Sequence, residues 1–436
     1  MTIKYAIFIY FLCVASIRAT HNDVCITPTT CPVGLNSNPL NLDFGDLLKY
    51  NIFTFSDFIN DESNPSDVQG RVAVGGNHRV PLGHSIGDKL CEPLSSVSSR
   101  PDYNNATCGN LGEKCCFGYD TNVLVVGGSS TWTGGRLFYG GGCIGNLEDS
   151  QFGHFAEEAG QQECVFGTCL TLDGLTPGCQ ISDKCVPSES WWNQMLSKLQ
   201  NISDTLYSLP TNGVTFWEAH STKVCPFPCA DYSASPYIWN NHLWLQPAGN
   251  QNLNVFEIEA SKLKQATSFY WAPDPECTNQ NTIANCPFNY KPQLGAYIVI
   301  NVKAGPNEDC QISNVNLDAL KPYANNVIWN FGQCKNDLKF QGDDDTGMGI
   351  QGLVLAPNAH LYAKGHIDGH VFVHNFTGSA QINLLELYCL NITRQSECTE
   401  ECESIFGCAS GFNVFVQNNY YGESDVEGRL LGGGKV

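Results

Sequence analysis

Basic residues are few: 23 Lys and Arg face 43 Asp and Glu, a formal charge of −20. Clustered cations are what hold nucleic acid and anionic membranes, so this balance disfavours both as partners. Charge of either sign is sparse, at 15% of residues, and methionine occurs only 3 times. Helical bundles draw on long charged and unbranched side chains. Sparse charge beside 42 glycines points instead to turn-rich β structure. After Ile17 no stretch approaches the ~20 apolar residues of a membrane helix, so no integral segment is expected once a leader is removed. The zinc-hydrolase pattern HExxH and the phosphate-cradling GxxxxGK[ST] are also missing.

What stands at the start is an export signal. Lys4 supplies the positive charge, Tyr5 to Ile17 the apolar stretch, and Ala19 a small residue suited to cleavage, with Ser16 as the alternative. Residues 1–19 are read as a signal peptide, and the mature chain as secreted. Of the 22 cysteines, all but Cys13 remain after cleavage. So many thiols in an oxidising compartment are read as disulfides. Their odd number leaves one free, or paired with another chain or with further sequence. Cys225-Pro-Phe-Pro-Cys229 and Cys398-Thr-Glu-Glu-Cys402 are spaced more loosely than the CxxC of zinc sites and are read the same way. Asn105, Asn201, Asn375 and Asn391 each head an Asn-x-Ser/Thr triplet and are glycosylation candidates.

A Cys-containing lead covers residues 20–39. Beyond it, short β-branched runs end in paired glycines: Gly70-Arg-Val-Ala-Val-Gly-Gly76, then Val123-Leu-Val-Val-Gly-Gly128, then Thr131-Trp-Thr-Gly-Gly135. Such units fit the stacked rungs of a β-solenoid, and equally a β-sandwich with tight hairpins. One helix interrupts them. Trp192, Met195, Leu199, Ile202 and Leu206 recur at helical spacing, with Ser188 placed to cap the start and Pro210 just past the end. Strand patterns resume at Leu243 and run to a Cys-rich connector at 391–410.

Near the C-terminus the sequence repeats itself. Phe412-Asn-Val-Phe-Val416 answers Tyr50-Asn-Ile-Phe-Thr54, and Asp425-Val-Glu-Gly-Arg429 answers Asp67-Val-Gln-Gly-Arg71. A second copy of the domain is expected to begin near Gly411, so that 411–436 is a truncated repeat. It belongs either to a longer tandem protein or to a stub that pairs with another sheet edge.

Several motifs, in order, resemble the choice-of-anchor A domain, an adhesive module of secreted and surface-attached proteins. They are Phe53-Thr-Phe-Ser-Asp-Phe58, Asp67-Val-Gln-Gly-Arg71, Val125-Val-Gly-Gly128, Ile300-Asn-Val302, Ile328-Trp-Asn-Phe331, Gly352-Leu-Val-Leu-Ala-Pro-Asn-Ala359 and Ile367-Asp-Gly369. The resemblance spans about residues 40–390. It implies a mainly β, β-solenoid-like fold (a discontinuous β-helix) with one accompanying α-helix, here carrying Cys-rich insertions. It also implies presentation outside the cell for adhesion. The chain departs from the family in showing no LPxTG-type sorting signal, terminal apolar tail or lipidation motif.

Candidates for chemistry are thin. His370 and His374 would share a face if the segment after Gly369 is a strand, and two imidazoles can hold a metal. Gly365 and Gly369 as turns would scatter them from His366. Asp343 and Asp345 lie in Asp343-Asp-Asp-Thr-Gly347, a loop whose oxygens suit calcium, although the bidentate Glu of a calcium loop is missing. A solvated turn is the simpler reading. Glu257 with Glu259, and Glu157 with Glu158, are carboxylate pairs of the kind a glycosidase would need, neither with a supporting motif. Trp132, Tyr139, Trp239 and Trp244 suit sugar stacking if exposed. Only Thr131-Trp-Thr133 has the Thr-x-Thr form of an ice-binding ladder within the domain. The expectation is a non-catalytic extracellular adhesion or matrix protein without a cofactor, contacting a surface, matrix or glycan, or self-associating. A structural coat protein and a carbohydrate-binding module are the alternatives, with a carbohydrate-active enzyme behind them.

Overall fold

The computed structural model describes residues 42–387, less 61–65, 82, 91–121, 133–134, 139, 153–161, 166–167, 172–180, 219–240, 248–251, 273–289, 307, 342–348 and 386, together with 414–416 and 430–432. The chain divides into two compact units, Met1–Asn391 and Ile392–Val436.

The first unit is mainly β, built on a curled 16-stranded sheet whose internal pairings are parallel. Parallel neighbours cannot be joined by a tight hairpin, so each strand must be followed by a return path before the next is laid beside it. Here other strands form the return. Tyr50–Thr54 leads to Phe58–Ile59, Arg71–Val74 to His78–Val80, and Asn122–Val126 to Ser130–Trp132. The first member of each pair lies in one limb of the sheet and the second member in another. Leu353–Ala363 and Val371–Gly378 are long enough to run through both limbs. The bend shows as a register shift, Ala356 lying opposite Val373 but His360 opposite Asn375.

The chain enters this stack in the middle. In the first limb Tyr50–Thr54 pairs with Val371–Gly378 on one side and Arg71–Val74 on the other. Later segments extend it both ways, to Ile181–Ser182 at one end and Leu253–Glu259 at the other. The polypeptide therefore has to cross the whole limb between Ser182 and Leu253. The helix Glu189–Ser208 supplies much of that crossing, since 20 residues rise about 30 Å. The Ser188 hydroxyl accepts from the Trp191 N–H at its start.

The first limb is covered on both sides, which is why its strands read as almost continuous apolar runs. Phe53, Ala73, Val125, Val255, Val299, Ile328, Leu355 and Phe372 pack with Trp192, Leu199, Ile202 and Leu206 of the helix. Met195, expected on the same stripe, packs at its margin. Polar groups lock the contact. The Ser203 hydroxyl donates to Asn330 Oδ1 at 2.7 Å, Asn330 Nδ2 donates to the Ser203 carbonyl and to Asn301 Oδ1, and Asn301 Nδ2 donates to the Leu206 carbonyl. The outer edge of Leu253–Glu259 is also satisfied: Asn212 Nδ2 donates to the Leu253 carbonyl and Asn212 Oδ1 accepts from the Val255 N–H.

The paired glycines form the corner between limbs. A Cβ on Gly75 would lie 2.3 Å from the Phe55 carbonyl oxygen, one on Gly127 2.2 Å from that of Gly75, and one on Gly145 2.1 Å from that of Gly127. Successive backbones stack too closely there for any side chain. Beside them runs a chain of side-chain acceptors. Asn375 Oδ1 accepts from the Asp57 N–H, Asp57 Oδ1 from the Asn77 N–H, and Asn77 Oδ1 from the Ser129 N–H.

A third set of short parallel strands includes Gly349–Gln351, His366–Asp368 and Gln381–Asn383, with His84–Ile86 beside Gly135–Leu137. Val68 bridges these two groups through Ile382 and Ile86. Val214–Glu218, His242–Gln246 and Ser268–Trp271 make a separate sheet with one antiparallel pairing, and Gln162–Val165 pairs antiparallel with Thr168–Thr171. These pairings, and a second helix of one turn at Ala260–Leu263, were not expected from the sequence. Disulfides join Cys143 to Cys185 and Cys310 to Cys334. In the second unit Val414–Val416 pairs parallel with Leu430–Gly432.

Candidate adhesive face

The second limb is the broad surface that the helix leaves open. Its eight strands align side by side, and one outward residue from each falls in a single continuous row. From one end, Gln311 lies opposite Lys339, Lys339 opposite Tyr362, and Tyr362 opposite Thr377. Thr377 lies opposite Ile59, Ile59 opposite Arg79, Arg79 opposite Thr131, and Thr131 opposite Gln151. All are exposed or half-exposed, while their strand neighbours Phe340, Leu361, Phe376, Phe58, His78 and Trp132 are buried. At about 4.8 Å between strands the row is roughly 33 Å long.

Its electrostatics are close to neutral. Lys339 sits 3.4 Å from Asp337, and Asp57 stands at the corner before Ile59. At the centre His360 and Tyr362 stack with ring centroids 4.1 Å apart, and His360 Nε2 lies 2.8 Å from Thr377 Oγ1. Burial holds His360 below the ordinary imidazole value, opposed by Asp337, reinforced by His374 and opposed again by Asp57.

Behind the row lies a buried aromatic file. Phe376 stacks on Phe58 at 4.7 Å, and His78 follows at 5.4 Å. His84 reaches the same interior from the third set, its ring 6.3 Å from both His78 and Trp132. Burial pushes His78 down to about 3, with His84 adding to the effect, and His84 down to about 4, with the Ser66 carbonyl opposing. His78 Nδ1 lies 3.0 Å from Ser130 Oγ.

The histidines singled out in the sequence go to different places. His370 is buried with Nδ1 2.7 Å from the Tyr50 carbonyl oxygen. His374 stands half-buried at the bend, where the second limb brings it near His360. His366 lies in the third set, 3.7 Å from Asp368. Among the described residues no group of three or more His, Cys, Asp or Glu side chains is placed to hold a metal. Asp343, Asp345, Asn105 and Asn391 lie outside the described residues, as do the two CxxxC pairs. Asn201 is exposed on the helix, beside an open cleft of about 600 Å³ also lined by Asp43, Asn193 and Lys198. Asn375 is half-buried within the second limb.

Glu257 and Glu259 each face their own lysine, Lys303 at 2.5 Å and Lys262 at 3.2 Å. Asp67 of the Asp-Val-x-Gly-Arg core accepts from the Ser85 N–H of the strand His84–Ile86 at 2.9 Å. Gly83-His84-Ser85-Ile86-Gly87 matches the G-x-S-x-G pattern of serine hydrolases. That pattern needs a sharp strand-to-helix turn with an exposed serine. Here it is a strand paired with Gly135–Leu137, its histidine turned into the core.

Of the candidate sugar-stacking aromatics, Trp132 and Trp244 are buried, and Trp132 Nε1 donates to the His84 carbonyl. Tyr139 and Trp239 lie outside the described residues. Tyr362 is the exposed ring of this row, at 36%, while Tyr270, at 40%, is exposed on the separate sheet beside Trp244. The alternation His360-Leu-Tyr362-Ala was the available signal for it. No helix among the described residues is long and apolar enough to cross a membrane.

Residues 43–384 match the family described as "Putative Ice-binding-like adhesive domain", and the chain belongs to that family. It is also similar to an uncharacterised protein of Dictyostelium discoideum, 26% identical over 222 residues. That alignment covers 47% of this chain and 16% of the relative, so the chain spans only a small part of the relative's length.

Proposed function

We propose that this is a secreted, glycosylated, non-catalytic adhesion protein of the choice-of-anchor A kind, and that its second limb is the adhesive face. In this reading the two limbs and the third set are the faces of a β-solenoid. The family supports adhesion. The observation that carries the assignment is the eight-residue outward row, broad and open where the first limb is covered by the helix. Many weak contacts along a rigid row sum to useful strength, and repeated copies add avidity. Repetition is supported by register: Val414–Leu430, Phe415–Leu431 and Val416–Gly432 pair at the positions that answer Ile52–Val72, Phe53–Ala73 and Thr54–Val74 in the repeat, across a shorter loop. The row does not present a regular threonine ladder of the ice-binding type, since Ile59 and Arg79 separate Thr377 from Thr131.

Retention under flow of beads coated with the disulfide-formed full chain tests the reading, on polysaccharide, glass and polystyrene surfaces. Thr131→Glu with Gln311→Glu, at opposite parts of the row, is expected to reduce retention several-fold. The same two charges placed on the exposed helix face, Asn193→Glu with Thr205→Glu, are expected to leave it unchanged. Equal retention by both variants overturns the assignment.

A further inference from the structure

We infer that the adhesive face takes a neutral polysaccharide laid across its strands, with Tyr362 as the ring on which a sugar stacks. This rests on the second limb being the adhesive face. Four observations point to that ligand class.

The first is the platform. Tyr362 is exposed yet stacked on His360 with an interplanar angle of 19°, and His360 is itself fixed against Thr377. A ring held this way is ready to meet the C–H face of a sugar without losing rotamer freedom on binding. Second, the row carries amides and hydroxyls at both ends and near its middle: Gln311, whose Nε2 donates to Ser313 and Gln341, Thr377 beside His360, and Thr131 and Gln151. Planar amides and hydroxyls both donate and accept, which matches the mixed hydrogen-bonding of sugar hydroxyls.

Third, charge selects a neutral partner. Within the face Lys339 is paired with Asp337 at 3.4 Å, and Arg79 is the row's other charged member. The whole chain carries −20, so a polyanion would approach against a repulsive field. Fourth, the row is too polar for the core of a stable protein–protein contact, where charged residues are depleted and apolar and aromatic ones gather. Ile59 and Tyr362 are its large apolar members. A length of roughly 33 Å suits an extended chain of several sugar rings and not a single monosaccharide.

Depletion of the full chain from solution by suspended microcrystalline cellulose and by chitin particles tests this, with carboxymethyl cellulose beads as the anionic arm. The wild-type chain is expected to bind at least one neutral polymer more tightly than the anionic beads. Tyr362→Ala is expected to weaken that binding roughly tenfold, at the upper end for one aromatic contact, and Tyr362→Phe to retain it. An unchanged thermal transition in both variants shows that the fold is intact. No depletion by either neutral polymer, tighter binding to the anionic beads, or Tyr362→Ala binding like wild type overturns the inference. If bead retention is still lost with Thr131→Glu and Gln311→Glu in that event, the adhesive assignment stands and only the ligand class fails.

Discussion

At the residue scale, the buried imidazoles set how the fold meets acid. His78 and His84 titrate at about 3 and about 4 in the folded chain, against 6.5 for the free side chain. The unfolded chain therefore takes up protons from about pH 6.5 downward, while the folded chain refuses them. Their contribution to stability is complete above pH 6.5 and is lost as pH falls toward 4 and then 3. At pH 5 each imidazole costs about 2 kcal/mol. His370, lowered by burial, acts in the same direction. The groups packed around the pair include Phe58, Trp132, the Ser130 hydroxyl and the Ser66 carbonyl, none of which carries a full charge to offset the protonation. The denaturant midpoint is expected to drop sharply between pH 7 and pH 5, and His78→Gln with His84→Gln to flatten that dependence. Equal midpoints at the two pH values would contradict the buried placement.

At the element scale, the helix is fixed to the first limb by shape and by polar groups that satisfy one another. The 3.6-residue stripe determines that Trp192, Leu199, Ile202 and Leu206 face the sheet. It does not say where along the sheet they dock. Ser203, Asn301 and Asn330 do, because each buried amide or hydroxyl has its partner only in one register. Removing one member leaves the others buried without partners, which costs more than the bond itself contributes. Asn330→Ala is expected to lower stability by about 2–3 kcal/mol in urea titration, while Asn193→Ala on the exposed helix face changes it by less than about 0.5 kcal/mol. Similar losses from the two would show that the helix is held by its apolar stripe alone. Asn301 and Asn330 stand inside two of the motifs that carry the family resemblance, so the sequence displayed them without displaying their task.

At the scale of the whole molecule, a curled sheet of parallel strands is built from contacts far apart in sequence, and cross-links that shorten the unfolded chain matter. Cys310–Cys334 joins residues 24 apart and Cys143–Cys185 residues 42 apart. Loops of that size give about 3–4 kcal/mol each by restricting the unfolded ensemble. Cys310→Ala with Cys334→Ala is expected to lower the denaturant midpoint accordingly, and no change would mean that the unfolded chain is already confined there. Cysteine number and an export signal announce disulfides in general. The pairing of Cys310 with Cys334 required the strands Cys310–Ser313 and Asp337–Gln341 to be laid side by side.

By itself the sequence determined the mainly β character, the helix and its buried stripe, the glycine corners and an adhesive family likeness. All of these are local: they depend on alternation, spacing and the absence of a side chain within a few residues. It could not determine which outward residues share a row, because Gln311, Tyr362, Ile59 and Arg79 are brought together only by register between strands. For the same reason the histidines His370, His374 and His366, close in sequence, part company, while His360 and His374 meet. The face proposed for adhesion belongs wholly to the tertiary structure, since a row that crosses eight strands has no counterpart along the chain.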